Sequence, residues 1–333
     1  MNHRIVVLPG DGIGPEVVGS AKEVLAAAGA EIEWVELEAG RAALEQYGTP
    51  LPDHVLRTIR EVGVALKGPI TTPIGEGFSS VNVALRKQLN LYANVRPIDS
   101  RYGISEKFTG VDMVIFRENT EDVYSGMEQD IAPGVAQCLK IITKDASDRI
   151  AKFAFEYARS NGRKKVQAVH KANIMKKSDG MFLKSCREMA ENYAEIEYGE
   201  IIVDNCAMQM VIRPQQFDVL VLTNLYGDIL SDLGAGLVGG LGLVPGANYG
   251  DGVAVFEAVH GSAPDIAGKG LANPIAIILS SASMMRYLGE REVANRIESA
   301  VRKVLQGRKG LTRDLGGKAG TAEFTRTLIE LMA

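Results

Sequence analysis

Short apolar runs alternate with amphipathic segments along most of this 333-residue chain. The apolar runs predict strands at residues 4–8, 31–38, 63–68, 112–117, 165–169, 197–204 and 217–223. The segments between them predict helices. One, at 15–28, has a proline in its first turn and stops at Gly29, the usual asymmetry of helix ends. Another, at 144–159, repeats apolar residues at helical spacing. This alternation predicts an α/β protein with a largely parallel sheet.

The chain is long enough to form two domains, each with its own core. No internal repeat, low-complexity tract or linker rich in proline or serine marks a boundary between them. The domains are therefore expected to be joined by ordinary strands and turns, and the pattern alone does not place their boundary.

The charge and cysteine content narrows the classes of partner. The formal net charge is −4, with acidic and basic residues interspersed and no polybasic run, so nucleic acid is not expected as a principal partner. Three cysteines, Cys138, Cys186 and Cys206, lie far apart without a CxxC pair. That argues against a disulfide framework or a cysteine zinc site, and it favours a reducing compartment.

The apolar content gives no sign of a membrane protein. The longest apolar stretch, 233–244, is rich in glycine and too short to span a bilayer. The first residues lead directly into a strand, without the pattern of a signal or transit segment. We therefore expect a soluble, cytoplasmic protein with no membrane partner.

A glycine-rich turn, Gly10-Asp11-Gly12-Ile13-Gly14-Pro15, follows the first predicted strand and opens a helix. A dinucleotide-binding fingerprint occupies this position in a Rossmann fold, where its glycines let backbone amides approach a pyrophosphate. Here the glycines fall as GxGxG, and proline takes the last variable position. A tight strand–helix turn explains the glycines equally well, so we do not infer a Rossmann fold.

Three aspartates form a candidate set of metal ligands. Asp228 and Asp232 are four residues apart, so a helix would place them on one face, where like charges repel. Asp204 is predicted at the end of a strand. Carboxylate oxygens without a nearby histidine or cysteine pair suit Mg²⁺ or Mn²⁺ rather than zinc. The spacing leaves open that Asp228 and Asp232 are solvated acids at a helix start.

Three arginines, Arg86, Arg96 and Arg117, are candidates for binding carboxylates. Arg96 and Arg117 lie at the ends of apolar strand-like runs, where a buried guanidinium is costly unless it is paired. The guanidinium fork binds a carboxylate through two hydrogen bonds, so three arginines could hold a substrate with several carboxylates. For any one of them, an internal salt bridge is the alternative.

Lys171 and Tyr124 are candidates for proton transfer. Lys171 follows a predicted strand, where burial could remove its proton near neutral pH. Tyr124 could donate a proton. Taken singly, a surface lysine and a half-buried tyrosine are the alternatives. His170 and His260 are too far apart, without a partner motif, to indicate a metal pair.

Taken together, these stretches resemble the isocitrate/isopropylmalate dehydrogenase family of β-decarboxylating dehydrogenases. The motifs that carry the resemblance occur in the family's order: GDGIGPE, LYANVRP, FRENTED, VHKANIM, NLYGDILSDL, HGSAPDIAGKGLANP and DLGG. The segments YSGMEQ, KFAFEYAR and ANIMKKSDGMFL are most similar to NAD-dependent isocitrate dehydrogenase, especially its catalytic subunit. The resemblance implies two α/β domains that do not form a Rossmann fold. A large discontinuous domain would comprise residues 1–98 and 252–333, and a small domain, 99–251, would carry the dimer interface and the metal site.

The resemblance also implies a role for each candidate residue. Substrate would be bound by Ser80, Asn82, Arg86, Arg96 and Arg117. Protons would be handled by Tyr124 and Lys171, the lysine acting directly or through a relay. Mg²⁺ or Mn²⁺ would be held by Asp204, Asp228 and Asp232. NAD would be bound by Thr72, His260, Gly261, Ser262, Ala263, Pro264, Asp265, Ile266 and Asn273. Lys171 and Asp204 would come from a neighbouring subunit, which implies a homodimer with a shared active site and leaves a higher oligomer open.

The implied reaction is the oxidative decarboxylation of isocitrate to 2-oxoglutarate, a step of the tricarboxylic acid cycle, with NAD⁺ and a divalent metal. Isopropylmalate enzymes line the variable pocket with apolar side chains, whereas Ser80 and Asn82 offer a hydroxyl and an amide that suit a third carboxylate. Asp265 would accept hydrogen bonds from a ribose diol and repel a 2′-phosphate. NADP-linked relatives carry a lysine and a tyrosine in place of Asp265 and Ile266, so NAD is expected.

Three alternatives to this function stay open. Homoisocitrate is the nearest alternative substrate, because the segment 203–209 (VDNCAMQ) resembles homoisocitrate enzymes as much as isocitrate enzymes. 3-Isopropylmalate is another. A non-catalytic regulatory subunit of a heteromeric isocitrate dehydrogenase is the third, but it would be expected to lack some of the catalytic residues, and all of them are present.

Overall fold

The computed structural model describes residues 2–71 and 80–332 of the chain. Its strands are β1 (His3–Leu8), β2 (Ile32–Glu36), β3 (Val64–Lys67), β4 (Ala93–Asp99), β5 (Asp112–Glu118), β6 (Glu128–Ala132), β7 (Val135–Cys138), β8 (Lys165–His170), β9 (Glu197–Ile202), β10 (Val219–Leu222), β11 (Pro245–Gly250) and β12 (Val253–Ala258). Its α-helices are α1 (Gly14–Ala27), α2 (Arg41–Tyr47), α3 (Asp53–Val62), α4 (Val81–Gln88), α5 (Lys144–Ser160), α6 (Ser178–Ala190), α7 (Val203–Ile212), α8 (Asn224–Val238), α9 (Ile275–Tyr287), α10 (Arg291–Gly307) and α11 (Thr321–Glu330).

One large sheet organises these ranges, with the strand order β2-β1-β3-β12-β11-β4-β5-β10-β8-β9. Strands on both flanks pair in parallel. At the centre, β11 and β4 run antiparallel to their neighbours. The prediction of an α/β protein is confirmed, and its sheet is parallel except at this centre.

Helices cover both faces of the sheet, because successive side chains of a strand point to opposite faces. In β1, Ile5 and Val7 enter a core with α1, α9 and α10, whereas Val6 and Leu8 enter one with α3 and α4. Two further cores lie on the two faces of β5 and β10. No helix in the described ranges is long and apolar enough to cross a membrane.

The sheet is continuous across the predicted domain boundaries. Position 98/99 falls within β4, and position 251/252 falls in the turn between β11 and β12. The chain does return to its first half, since β12 pairs with β3 and β11 pairs with β4. The division into 1–98 with 252–333, and 99–251, stays a prediction.

One local prediction needs correction, and one strand that the sequence does not predict needs an explanation. The apolar run 197–204 is a strand only to Ile202, and Val203 begins α7, so Asp204 lies in the first turn of a helix rather than at a strand end. An acidic side chain there interacts favourably with the helix dipole. A strand that the sequence does not predict is β11, because its sequence PGANYG contains proline and glycine, which disfavour strands. It is nevertheless a strand, since β4 and β12 hold it on both sides.

The central strands have one polar and one apolar face. The register aligns Asn94 of β4 with Arg117 of β5 and with Asn248 of β11. These side chains therefore share a face with Arg96, two residues along β4, while Val95 points to the opposite face. The polar face is where the candidate site is built.

Candidate functional site

Two of the three predicted arginines lie on the polar face of the central strands. Arg96 is in the middle of β4 rather than at its end, and Arg117 is near the end of β5. They are 4% and 2% exposed, respectively. Buried guanidinium groups are retained only where partners satisfy them, so their contacts define the site.

A buried carboxylate, Glu257 of β12, balances these cations. It lies 2.7 Å from the Lys67 Nζ and 3.2 Å from the Arg86 Nη2, and it accepts a 2.8 Å hydrogen bond from the Asn248 side chain. Burial raises the pKa of Glu257, but the cations Lys67, Arg86 and Arg96 outweigh it and hold that pKa well below its usual range. The carboxylate is therefore ionised at neutral pH.

Lys67 and Glu257 are residues that the sequence analysis missed. A signal for both is present, since each is a lone charge in an otherwise apolar strand, VALK and VAVFEA. Charges in such runs are buried and need partners of opposite sign. Their pairing depends on the contact between β3 and β12, which lie far apart in the sequence.

One guanidinium nitrogen of Arg96 has a hydrogen-bond partner among the described residues, and another has none. Its Nε donates to the Asn94 side chain at 2.8 Å, and Asn94 in turn donates to Asn248 at 2.7 Å. The Nη1 atom of Arg96 is buried without a hydrogen-bond partner in the described part of the chain. Burial lowers the pKa of Arg96 to about 10, so it stays charged at neutral pH. An unsatisfied, buried cationic donor suits an anionic ligand.

Arg117 connects the sheet to α8. Its Nε donates to the Asn224 side chain at 2.8 Å, and its Nη1 pairs with Asp228. This approach requires a glycine at position 227, because a Cβ atom there would lie 2.5 Å from the Cβ of Arg117. The motif NLYGD thus brings Asp228 against Arg117 by close backbone packing.

Tyr124 joins the same cluster. Its hydroxyl donates to Asp228 Oδ2 at 2.5 Å, and its ring lies 5.0 Å from the Arg117 guanidinium. Burial and the hydrogen bond to Asp228 raise the pKa of Tyr124. The phenol therefore keeps its proton at neutral pH and is a potential proton donor.

The two aspartates of α8 have different environments. Burial raises the pKa of Asp228, but the Arg117 guanidinium and the Tyr124 hydroxyl outweigh it and lower that pKa. Partial burial and the neighbouring Asp228 carboxylate raise the pKa of Asp232. Two neighbouring carboxylates that repel each other suit a hard divalent cation such as Mg²⁺ or Mn²⁺. Within the described residues of one chain, no group of three histidine, cysteine or acidic side chains is close enough to hold a metal ion.

Helix α4 supplies the remaining predicted substrate residues. Asn82 and Arg86 are four residues apart and so share one face of this helix. The Ser80 hydroxyl caps the helix by accepting from the Val83 backbone N–H at 3.5 Å. The Asn82 Oδ1 atom is buried with no partner among the described residues. Arg86 donates to Glu257 and thereby joins α4 to the buried cluster of Arg96, Arg117 and Glu257. We refer to these four residues as the arginine pocket.

Lys171 and Asp204 form a separate pair. The Lys171 Nζ donates to Asp204 Oδ1 at 2.6 Å, and the two side chains are 28% and 69% exposed. No hydrogen bond or ion pair connects them to Arg96, Arg117 or Asp228 in the described ranges. Lys171 is therefore less buried in one chain than the sequence predicts.

A cavity of about 490 Å³ lies beside the segment from His260 to Asn273. Of the predicted cofactor residues, His260, Gly261, Ala263, Ile266 and Asn273 line it, together with Ile13 and Asp314. Ser262, Pro264 and Asp265 belong to the same loop but not to the lining, and Thr72 lies outside the described residues. Burial lowers the pKa of His260, and its Nε2 is buried without a partner in the described structure. A neutral imidazole with a free nitrogen suits hydrogen bonding to a nucleoside.

The glycine turn supports this loop by packing. Gly12 has a φ of 60°, and a Cβ atom there would lie 2.0 Å from the Ser262 carbonyl oxygen. Asp11 accepts backbone hydrogen bonds from Arg41 and Thr71, both at 2.8 Å. Glu16, in the first turn of α1, accepts from the Ala272 backbone N–H at 3.0 Å. In this chain the motif GDGIGPE anchors the loops that surround the cavity.

Comparison with known proteins gives the same family throughout, with members of different function. Residues 4–329 match the family model described as isocitrate/isopropylmalate dehydrogenase. The chain is 53% identical, over 97% of its length and 87% of the relative's, to the mitochondrial NAD isocitrate dehydrogenase catalytic subunit 5 of Arabidopsis thaliana. It is 52% identical, over 98% and 91%, to a mitochondrial regulatory subunit of NAD isocitrate dehydrogenase from Dictyostelium discoideum. The crystal structure of isocitrate dehydrogenase from Methylococcus capsulatus superposes with a TM-score of 0.95, at 51% identity over 99% of both chains.

These relatives correct one prediction. The lack of a targeting pattern predicts a cytoplasmic protein, whereas the Arabidopsis and Dictyostelium relatives are mitochondrial. The inference failed because it relied on the absence of a targeting pattern at the start of the chain. Import leaders are removed from mature proteins, so the first residues of a sequence do not report its compartment.

Proposed function

Because the chain belongs to the isocitrate/isopropylmalate dehydrogenase family, we propose that it catalyses the NAD-dependent oxidative decarboxylation of isocitrate to 2-oxoglutarate. The observation that carries this proposal is the buried arginine pocket beside Asp228. Arg96 has a buried guanidinium nitrogen without a partner, and Asn82 has a buried amide oxygen without one, among the residues that the structure describes. A ligand with several carboxylates would satisfy these groups, which a hydrocarbon side chain would leave unpaired.

Substrate binding is assigned to five residues in this proposal. Arg86, Arg96 and Arg117 bind carboxylates, and Ser80 and Asn82 bind the carboxylate that distinguishes isocitrate from 3-isopropylmalate. Arg117 is held by Asn224 and Asp228, so its guanidinium is oriented before substrate arrives. Such preorganisation reduces the entropy lost in reaching the reactive geometry.

The proton transfers follow from the chemistry of the side chains. Lys171, directly or through a relay, takes the proton of the substrate hydroxyl as the carbon that bears it is oxidised. The product is a β-keto acid, which loses CO₂ from its β-carboxylate and leaves the bonding electron pair in an enolate. Tyr124 then delivers a proton to carbon, which is consistent with its raised pKa and retained proton. NAD⁺ supplies the hydride acceptor when it is bound.

A divalent cation fits the carboxylates of this site. Asp228 and Asp232 would hold it from one subunit, and Asp204 of the partner subunit would complete the ligand set. When bound, Mg²⁺ or Mn²⁺ would supply Lewis-acid polarisation of the substrate oxygens that carry developing negative charge. The raised pKa of Asp232 beside Asp228 supports this assignment, because a cation would relieve their repulsion.

A homodimer with a shared active site is part of the proposal. The β6–β7 hairpin is a two-stranded ribbon on which every residue of β6 is exposed, and such a hairpin is marginally stable alone. Large apolar side chains are exposed on this hairpin and on α7, namely Met127, Ile131, Val135, Met208, Val211 and Ile212. A second copy packed there would bury them and would bring its own Lys171 and Asp204 to the arginine pocket.

NAD is the proposed cofactor, and the cavity beside His260 is its proposed adenosine site. Asp265 and Ile266 stand where NADP-linked relatives carry a lysine and a tyrosine. A carboxylate at this position would repel a 2′-phosphate and accept hydrogen bonds from a free ribose diol.

Two other functions follow from specific observations. Homoisocitrate offers the same number of carboxylates, and it would fit the same arginines. A regulatory function is favoured by the 52% identity to the Dictyostelium regulatory subunit. The presence of Arg86, Tyr124, Lys171 and all three aspartates argues for a catalytic chain instead.

The test is to follow NADH absorbance with the purified chain, Mg²⁺ and each of isocitrate, homoisocitrate and 3-isopropylmalate, with NADP⁺ and with EDTA as further arms. We expect turnover of isocitrate with NAD⁺ that EDTA abolishes. Preference for homoisocitrate would overturn the substrate assignment and keep the mechanism. Isocitrate binding without turnover by the chain alone would favour the regulatory function.

A further inference from the structure

A buried ammonium group, Lys140, lies between three segments that carry proposed active-site residues. Its side chain is 12% exposed, and its Nζ donates to Asp179 Oδ1 at 2.7 Å. The same Nζ is 4.0 Å from Asp122 Oδ2 and 4.1 Å from the centre of the Tyr226 ring. Both aspartate side chains are completely buried. None of these four residues touches substrate or metal in the mechanism proposed above.

The first branch of this network leads to Lys171. Asp179 lies near the start of α6, and its Oδ2 accepts a hydrogen bond from the Lys171 backbone N–H at 2.6 Å. The Asp179 carboxylate thus binds Lys140 through one oxygen and the backbone of Lys171 through the other. Lys171 belongs to the exposed pair with Asp204, which would serve the active site of the partner subunit.

The second branch leads to Tyr124 and α8. Asp122 accepts from the backbone N–H of Val123 at 2.8 Å and from that of Leu225, in the first turn of α8, at 3.1 Å. Its own backbone N–H donates to the Ile141 carbonyl at 2.8 Å, next to Lys140. Asp122 has a φ of 76°, which a non-glycine residue adopts only where its surroundings hold it. It therefore fixes the turn that carries Tyr124 relative to the helix that carries Asp228.

We propose that Lys140 is a positioning residue that couples the two active sites of the dimer, through Asp179 to Lys171 and through Asp122 to Tyr124 and Asp228. This inference rests on the proposed function, in which Lys171 acts in the partner's site and Tyr124 in its own. A charge at Lys140 holds both carboxylates in place. Loss of that charge would leave two buried carboxylates with backbone donors but no counter-charge from Lys140, and would displace both segments.

Hybrid dimers separate the two branches. In a hybrid of one Lys171→Met subunit with one otherwise native subunit, the single intact site uses Lys171 of the native subunit. In a hybrid with one Tyr124→Phe subunit, the single intact site uses Tyr124 of the native subunit. Placing Lys140→Met in the native subunit therefore tests its effect on Lys171 in the first hybrid and on Tyr124 in the second. Each hybrid is purified by two affinity tags, one on each subunit.

We expect Lys140→Met to lower kcat in both hybrids by about tenfold to a hundredfold, since small displacements of reacting groups have effects of this size. The isocitrate KM should change less than about threefold, because no hydrogen bond or ion pair among the described residues joins Lys140 directly to Arg86, Arg96 or Arg117. A loss of kcat in only one hybrid, or an equal rise of KM in both, would overturn the coupling role. Unchanged kcat in both would overturn it as well.

Two controls keep the outcome interpretable. The hybrids without Lys140→Met must turn over isocitrate, and if they do not, the proposed function fails rather than this inference. If Lys140→Met is not recovered as a folded dimer, Lys140→Arg replaces it, because it keeps the charge. Its longer, planar group cannot occupy the same position between the two carboxylates, so a smaller loss of kcat, about threefold, is expected in both hybrids. Native kcat in both would overturn the inference.

Discussion

The two groups of candidate residues in one chain differ in almost every physical respect. The arginine pocket is buried and largely paired: Arg96, Arg117 and Glu257 are each 5% exposed or less. The Lys171–Asp204 pair is a surface ion pair, and the Asp204 side chain is 69% exposed. A buried pocket is stabilised by the fold that contains it, whereas an exposed pair contributes little to stability. In the proposed function, each chain therefore carries two half-sites. The buried half-site is the arginine pocket, and the exposed half-site is the Lys171–Asp204 pair, which serves another copy of the chain.

The largest expected effect on activity comes from a substitution in the exposed half-site. Replacing Lys171 by methionine should lower kcat by about 10²–10⁴-fold, the usual contribution of a positioned base. The dissociation constant for isocitrate should stay within about twofold, because the buried arginines bind the carboxylates. Steady-state kinetics and calorimetric titration measure the two quantities. A kcat close to that of the wild type would remove Lys171 from the mechanism.

The next largest effect is on stability and comes from a substitution in the buried half-site. Replacing Glu257 by glutamine leaves Lys67, Arg86 and Arg96 without their buried counter-charge, and should lower the free energy of unfolding by about 3–5 kcal/mol. The matched control is Asp204→Asn, which neutralises the exposed carboxylate and should lower the free energy of unfolding by only about 1 kcal/mol or less. Urea denaturation at neutral pH compares the two variants. Equal midpoints for both would contradict the difference drawn between the half-sites.

The stability difference between the wild type and Glu257→Gln should depend on pH in one direction. The pKa of Glu257 is held below its ordinary value of 4.5, so its contribution to stability is fully present above that pH. As the pH falls below 4.5, the unfolded chain binds a proton at this carboxyl while the folded wild type keeps it ionised, so the stabilisation decreases. The difference in unfolding free energy between wild type and Glu257→Gln should therefore shrink in acid. A constant difference from neutral pH to about pH 3.5 would contradict the assignment.

A smaller effect sharpens the chemistry of the buried half-site. Asn82→Leu should lower kcat/KM for isocitrate by about tenfold to a hundredfold, since a polar partner for the substrate is lost. The dissociation constant for Mg²⁺ should be unaffected, because the proposed metal ligands are on α7 and α8. Wild-type kcat/KM in this variant would show that Asn82 does not contact the distinguishing carboxylate.

The smallest effect concerns the cofactor loop, which belongs to neither half-site. Asp265→Lys with Ile266→Tyr should raise the ratio of kcat/KM for NADP⁺ to that for NAD⁺ by about tenfold, which corresponds to ~1.4 kcal/mol. Asp265→Asn removes the carboxylate without adding a cation, so it should give a smaller rise. An unchanged ratio in the double variant would remove this position from cofactor selection.

The sequence predicted the α/β class and most of the parallel strands, because apolar runs and helical periodicity are local signals. It did not predict β11, since PGANYG has no strand propensity and is held in the sheet only by its neighbours. Asp204 was assigned to a strand because apolar residues precede it. The helix that begins at Val203 depends on how the chain turns, and the apolar pattern does not report that.

The same distinction holds for the site. Arg96 and Arg117 could be recognised as buried charges in need of partners from the sequence alone. Their partners could not, because Glu257 meets Lys67 through the pairing of β3 with β12 and meets Arg86 across the contact with helix α4, all distant in the sequence. The network around Lys140 is a stronger case. Asp122, Asp179 and Tyr226 lie in three separate motifs, and neither their residue types nor their spacing predicts that they surround one lysine.

The most direct test of the two-half-site account is complementation between inactive variants. Tyr124→Phe and Lys171→Met homodimers are each expected to be nearly inactive. Dissociated, mixed in equal amounts and reassociated, they should recover about a quarter of the wild-type rate, because half of the dimers are hybrids and each hybrid has one intact site. No recovery, with hybrid dimers present by mass spectrometry, would mean that Tyr124 and Lys171 act within the same chain and would contradict the account.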